Sequence, residues 1–76
     1  MAIKDQLAAT IKAQRLEKGL SQDKLSAKAD ISTRYYQDIE AGEKQPTVDT
    51  IFKLANALGE SYTVLLGPVW SEWVGD

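Results

Sequence analysis

Residues 21–46 read SQDKLSAKADISTRYYQDIEAGEKQP, and their spacing decides the fold. Ser21 is a hydroxyl N-cap, and Gln22 to Ala29 predict a helix of about two turns. Asp30-Ile31-Ser32 breaks it, with Ser32 as the next N-cap. Thr33 to Ala41 predict another helix, which Gly42 is placed to end in the left-handed conformation. Two short helices joined by so brief a break make a helix-turn-helix unit, whose later helix is the one that enters the major groove of DNA.

The wheel of that later helix divides cleanly. At about 100° per residue, Tyr35, Tyr36, Ile39 and Glu40 share one arc, which reads as the buried face. Thr33, Arg34, Gln37, Asp38 and Ala41 share the other. Arginine can fork onto guanine, glutamine onto adenine, and aspartate can accept from cytosine, while threonine can touch a methyl group or an acceptor. Thr33, Arg34, Gln37 and Asp38 are therefore the expected base readers.

Upstream, helical spacing runs from about Ile3 to Lys18, with Ile3, Leu7, Ala8 and Ile11 on one face and Gly19 as the stop. Arg15 falls on the same arc, and a charge on an apolar stripe needs a partner. Glu40, four residues after Tyr36 on the buried arc, is that partner, and Arg15–Glu40 is expected as a structural ion pair beneath the turn. Leu20, Leu25 and Ala29 add to the core, with Ser26 small enough to admit a close neighbour. Downstream, a fourth helix opens at Thr47 and runs to Leu58, with Val48, Ile51, Phe52, Leu54, Ala55 and Leu58 on a broad apolar face and Gly59 as its stop. A short fifth helix follows, capped by Ser61, with Tyr62, Leu65 and Leu66 on its apolar side and Gly67-Pro68 ending it. The organisation expected is one DNA-binding unit over residues 1–67 and an ordered tail over 68–76. That tail, PVWSEWVGD, holds both tryptophans. Tyr62, Leu65, Trp70 and Trp73 are expected either to cap the core or to form a dimer contact, where tryptophan is a favoured anchor.

Composition narrows the function. Seventy-six residues suit one domain. No stretch alternates with the period of two that a strand needs, so the fold class is all-α. With no histidine and no cysteine, the chain has no disulfide framework, and no metal or cofactor is expected. The groups most used for acid–base and nucleophilic work are missing, so an enzyme is disfavoured and no small-molecule substrate is indicated. No membrane span or leader is evident, and a cytoplasmic setting is expected. The net charge of −2 is unusual for a nucleic-acid binder. It is unevenly spread, however: residues 1–45 carry eight basic against seven acidic side chains, and residues 46–76 one against four. The helix-turn-helix half is the less acidic, which implies modest affinity per monomer and a strong dependence on salt.

These residues together resemble a known family. From about Ile11 to Leu66 the chain is similar to the lambda-repressor-like, Xre/Cro-type helix-turn-helix family, which includes phage repressors, Cro-type proteins and restriction-modification controllers. The resemblance is carried by Arg15, Gly19-Leu20-Ser21-Gln22, Leu25, Ala29, Ile31-Ser32, Ile39-Glu40, Gly42, Pro46-Thr47 and Leu54-Ala55-Asn56-Ala57-Leu58-Gly59. It implies a five-helix domain with the third helix in the major groove, and base readout from Thr33, Arg34, Gln37 and Asp38. It implies that Gln22 grips a phosphate and braces the third helix, and that Lys44, Gln45 and Thr47 contact the DNA backbone. Ser32 and Tyr35 are expected on the backbone beside them. The Arg15–Glu40 pair also matches one common in the family. Two residues depart from the pattern. Tyr36 stands where an aliphatic residue is usual, so its ring needs extra room or must tilt its hydroxyl to the surface. Asp30 stands in the turn where glycine is frequent, and aspartate tolerates that conformation better than most residues.

The function expected is a sequence-specific transcriptional regulator, a homodimeric repressor on a near-palindromic stretch of double-stranded DNA. The alternatives are an antitoxin or controller acting on its own operon, and a protein–protein module that has kept the fold and lost DNA binding.

Overall fold

The computed structural model describes residues 2–74, which form five helices: α1 (Ile3–Glu17), α2 (Gln22–Lys28), α3 (Thr33–Glu40), α4 (Val48–Leu58) and α5 (Tyr62–Val74). Among the described residues there is no strand. Each of the middle helices starts where its hydroxyl cap predicts. Ser21 accepts from the Lys24 N–H, Ser32 from the Tyr35 N–H, and Thr47 from the Thr50 N–H, each at about 3.0–3.1 Å. Each cap satisfies one of the amide donors that a helix start leaves free.

α1 lies against α3 and α5, α2 against α3 and α4, and α4 against α5. The enclosed core is built from Leu7 and Ile11 of α1, Leu25 and Ala29 of the α2 region, Tyr36 and Ile39 of α3, Ile51, Leu54, Ala55 and Leu58 of α4, and Leu65 of α5. Ser26, buried on α2, turns its hydroxyl to the Asp23 carbonyl and to Thr33 Oγ1, each at 3.0 Å. Its small side chain lets α3 approach α2 closely. Asp30 adopts the left-handed conformation at φ 57°, so the tight turn is made without glycine. At Gly42 the requirement for glycine is stricter. Its φ is +77°, and a Cβ there would stand 2.8 Å from Asp5 Oδ1, so the start of α1 closes over the end of α3.

Three expectations are corrected. First, Gly67-Pro68 does not end the fifth helix, which continues through Pro68 to Val74; within the described residues there is no separate tail. An interior proline costs about 3 kcal/mol, yet Leu65 is fully buried and Leu66 and Val69 pack on the core. Burial on both sides of the proline holds the helical course. Second, only part of the apolar face of α4 is covered. Val48 and Phe52 are exposed, because Ile51, Leu54, Ala55 and Leu58 already fill the side that meets the core. Third, the tryptophans do not cap the core. Trp70 and Trp73 remain 65% and 68% exposed, whereas Leu65 is interior.

Candidate nucleic-acid interface

α3 is fixed from beneath by its apolar residues and by one carboxylate. Tyr36 and Ile39 are fully buried. The Glu40 carboxylate, 6% exposed, receives Arg15 Nε on Oε2 at 2.9 Å and Arg15 Nη2 on Oε1 at 2.8 Å. Arg15 Nη1 donates to the Leu20 carbonyl at 2.9 Å. The expected Arg15–Glu40 pair is thus present as a fork, the geometry in which arginine binds carboxylates best. It ties the end of α1, the turn before α2 and the end of α3 together. Tyr36 does not tilt outward; its ring takes interior volume and its hydroxyl donates to Glu40 Oε2. Gln22 Nε2 donates to Glu40 Oε1 at 3.0 Å. Burial alone would raise the pKa of Glu40, but the hydrogen bonds from Arg15, Tyr36 and Gln22 outweigh it and hold the carboxyl below its ordinary value. The Tyr36 phenol is pushed well above its ordinary value, chiefly by burial and then by its bond to Glu40.

The network continues to the surface. Gln37 Nε2 reaches Gln22 Oε1 at 3.4 Å, so two amides from α2 and α3 face each other at the exposed end of a chain that begins in the core. Arg34 and Gln37 are exposed on the outer side of α3. Thr33 is half-buried and its hydroxyl is engaged with Ser26. Asp38 is tied to Arg34 Nε through Oδ1 at 3.2 Å and to Lys44 Nζ through Oδ2 at 3.5 Å. Of the four expected base readers, Arg34 and Gln37 stand outward, while Thr33 and Asp38 are already occupied.

The expected backbone contacts flank the same face. Ser32 is exposed at the α3 N-terminus, where its oxygen accepts from an amide and its hydroxyl hydrogen can still be donated. Lys44 and Gln45 are exposed in the loop after α3. Lys44 Nζ lies 6.0 Å from the centre of the Tyr35 ring, which stations the cation beside α3. Tyr35 is half-buried, with its hydroxyl 3.4 Å from Thr50 Oγ1. Thr47 donates its own hydroxyl to Thr50 Oγ1 at 2.9 Å, so that proton points into the α4 cap and not outward. Gln22 braces α3 as the resemblance implies, through Glu40 and Gln37; what the sequence missed is the bond from the Tyr36 hydroxyl to Glu40. The departure at Tyr36 was its only signal, since a buried phenol needs an acceptor.

Outside this face the described residues hold no cluster of histidine, cysteine or carboxylates able to bind a metal. No described helix is long and apolar enough to cross a membrane.

Residues 11–65 match the helix-turn-helix family HTH_3. The chain is 43% identical over 54 residues to an uncharacterised HTH-type transcriptional regulator, y4dJ, of Sinorhizobium fredii, covering 71% of this chain and 70% of that one. It is 39% identical over 57 residues to the immunity repressor protein of Bacillus phage phi105, covering 75% of this chain and 40% of that protein. Among solved structures it is similar to the restriction-modification controller protein C.AhdI from Aeromonas hydrophila, with a TM-score of 0.82, 28% identity, and coverage of 86% of this chain and 98% of that one. With its capped α2–α3 unit and an outward polar face on α3, the chain belongs to the helix-turn-helix family of DNA-binding transcriptional regulators.

Proposed function

We propose that the chain is a repressor that binds a near-palindromic operator as a homodimer, with α3 of each protomer in the major groove. The observation that carries this reading is the division of α3 into an anchored side and a free side. Tyr36, Ile39 and Glu40 are locked inward, while Arg34 and Gln37 project from the opposite side with side chains suited to guanine and adenine. Gln22, Ser32, Tyr35, Lys44, Gln45 and Thr47 form the surrounding frame, in which Ser32, Lys44 and Gln45 offer outward donors for phosphate. Readout from one short helix is too little for a selective site, and two-fold pairing doubles it.

A continuous apolar strip supports the pairing. The Phe52 and Tyr62 rings meet edge to face with centroids 5.5 Å apart. Tyr62, Leu66 and Trp70 line the next groove, and Trp70, Val69, Trp73 and Ile3 the one after it. Leaving such a strip in water favours association, and a two-fold pair of identical patches is the commonest closed solution. The similarity to a phage immunity repressor supports repression by occupancy of a promoter. The similarity to a restriction-modification controller supports a second version, control of the chain's own operon.

Selection of bound duplexes from a random pool, with sedimentation of the free chain, tests both parts. Two half-sites related by two-fold symmetry and about one helical turn apart, bound by a species of twice the chain mass, are expected. Selection of no duplex would leave a protein–protein module as the reading, and a lone half-site on a monomer would remove the dimer.

A further inference from the structure

We propose that Asp38 is a positioning residue which clamps Arg34 so that its terminal fork meets a guanine and which offsets the charge of Lys44 until DNA is engaged, and that it does not itself read a base. This rests on the assignment of α3 to base readout. The geometry supports it in three ways. Asp38 Oδ1 takes the inner nitrogen of Arg34, Nε, at 3.2 Å, which leaves the two terminal nitrogens for a ligand. Those two are spaced to donate together to guanine O6 and N7. The pair is also strongly asymmetric: the Asp38 side chain is 18% exposed and that of Arg34 83%. The carboxylate sits at the base and the guanidinium stands over it, the arrangement of a support and a reader.

The second cation is brought in by the main chain. The Asp38 carbonyl accepts the amides of Glu43 and Lys44 at 2.8 and 3.2 Å. This folds the loop back on α3 and sets Lys44 Nζ 3.5 Å from Asp38 Oδ2. One carboxylate therefore faces both the foremost base reader and the nearest backbone cation.

Helix stability gives only a weak reason for the pair. Arg34 lies in the first turn of α3, where the helix dipole disfavours a cation. The order of cation first and anion four residues later is also the weaker one for an exposed helix pair. The pair therefore adds little to the helix itself, and its placement fits a role taken up when DNA arrives. With the guanidinium held, less of its freedom is lost on binding. With two cations partly neutralised, random phosphates attract the free chain less.

The test uses the full chain with Asp38→Asn, which keeps shape and removes charge, and Asp38→Glu, which keeps charge and displaces it. Sites are first selected with the wild type, then each variant is titrated on the selected duplex, on duplexes substituted at one base pair, and on random duplex across a salt series. Asp38→Asn is expected to lower preference for one guanine per half-site about tenfold, to tighten random binding severalfold, and to steepen its salt slope by about one per subunit. Asp38→Glu is expected to lose the guanine preference with random binding unchanged. In an Arg34→Ala background, Asp38→Asn should cost no further base preference, because the two act as one unit. Glu43→Gln, which removes an equal charge beside Lys44, should tighten random binding less than Asp38→Asn.

Retained guanine preference in both Asp38 variants would overturn the clamp. So would loss of preference at a cytosine that persists in the Arg34→Ala background, which marks direct reading. Equal tightening by Glu43→Gln and Asp38→Asn would overturn the charge offset. A wild-type chain that selects no site would overturn base readout by α3 itself, and the clamp with it.

Discussion

Replacing Glu40, whose carboxylate lies on the buried side of α3, by alanine should destabilise the fold severely. The substitution leaves the Arg15 guanidinium, 11% exposed, with only the Leu20 carbonyl as a partner. It also removes the acceptor of the Tyr36 hydroxyl and of the Gln22 amide. Removing one member of a buried ion pair costs about 3–5 kcal/mol. A chain of 76 residues has about 4–11 kcal/mol in total. At about 4–8 °C per kcal/mol for a domain of this size, even the lower figure predicts a fall in melting temperature of about 12–24 °C. The pH dependence gives a second readout. Glu40 has a folded pKa below its ordinary value of 4.5, so between those two points the unfolded chain binds more protons. The pair's contribution is therefore complete above the ordinary value and is lost as pH falls through the folded value. Urea and thermal melts of wild type and Glu40→Ala between neutral and acid pH measure both. A variant that melts within a few degrees of wild type, or the same acid dependence in both chains, would refute the reasoning.

Other expectations follow from the same geometry. Gln37→Ala should weaken cognate binding by about 1–3 kcal/mol while leaving random binding nearly intact, and Arg34→Ala, which also removes a charge, should weaken cognate binding by about that much more than random binding; equal losses on cognate and random duplexes in titrations would show that the side chain concerned reads no base. Lys44→Ala should weaken binding to every duplex and reduce the salt slope by about one per subunit, and a wild-type slope would remove Lys44 from the backbone contacts. Trp70→Glu places a charge on the exposed strip of α5 without touching Leu65, so sedimentation should show a weakened dimer and circular dichroism an unchanged helix content. An unchanged dimerisation constant would place the contact elsewhere.

The local signals in this chain were legible because each is a short-range device. Ser21, Ser32 and Thr47 sit where a hydroxyl must accept an amide, and Gly42 where the chain must turn left-handed against Asp5. The Arg15–Glu40 pair was legible too, since an arginine on an apolar stripe has few acceptable partners. The course of α5 was not. Proline at position 68 argues for a stop on local grounds, and what overrides it is the burial of Leu65 with Leu66 and Val69, which depends on where α1 lies. The exposed halves of α4 and α5 were hidden for a related reason. Periodicity finds an apolar face but not how much of it a neighbour covers, so Phe52 looks the same as Leu54 in sequence. At the interface, the wheel placed Arg34, Gln37 and Asp38 together, but only three-dimensional contacts separate the two that stand outward from the one that lies beneath and holds Arg34 and Lys44.

The central claim is that α3 enters the major groove and reads guanine there through Arg34. Methylation interference on the selected duplex tests it most directly, because dimethyl sulfate marks guanine at N7 in the major groove and adenine at N3 in the minor groove. The account predicts that methylation of one guanine in each half-site blocks the wild-type chain, that Arg34→Ala becomes insensitive to it, and that adenine methylation has little effect. Interference confined to adenine, or guanine interference that persists unchanged in Arg34→Ala, would contradict it.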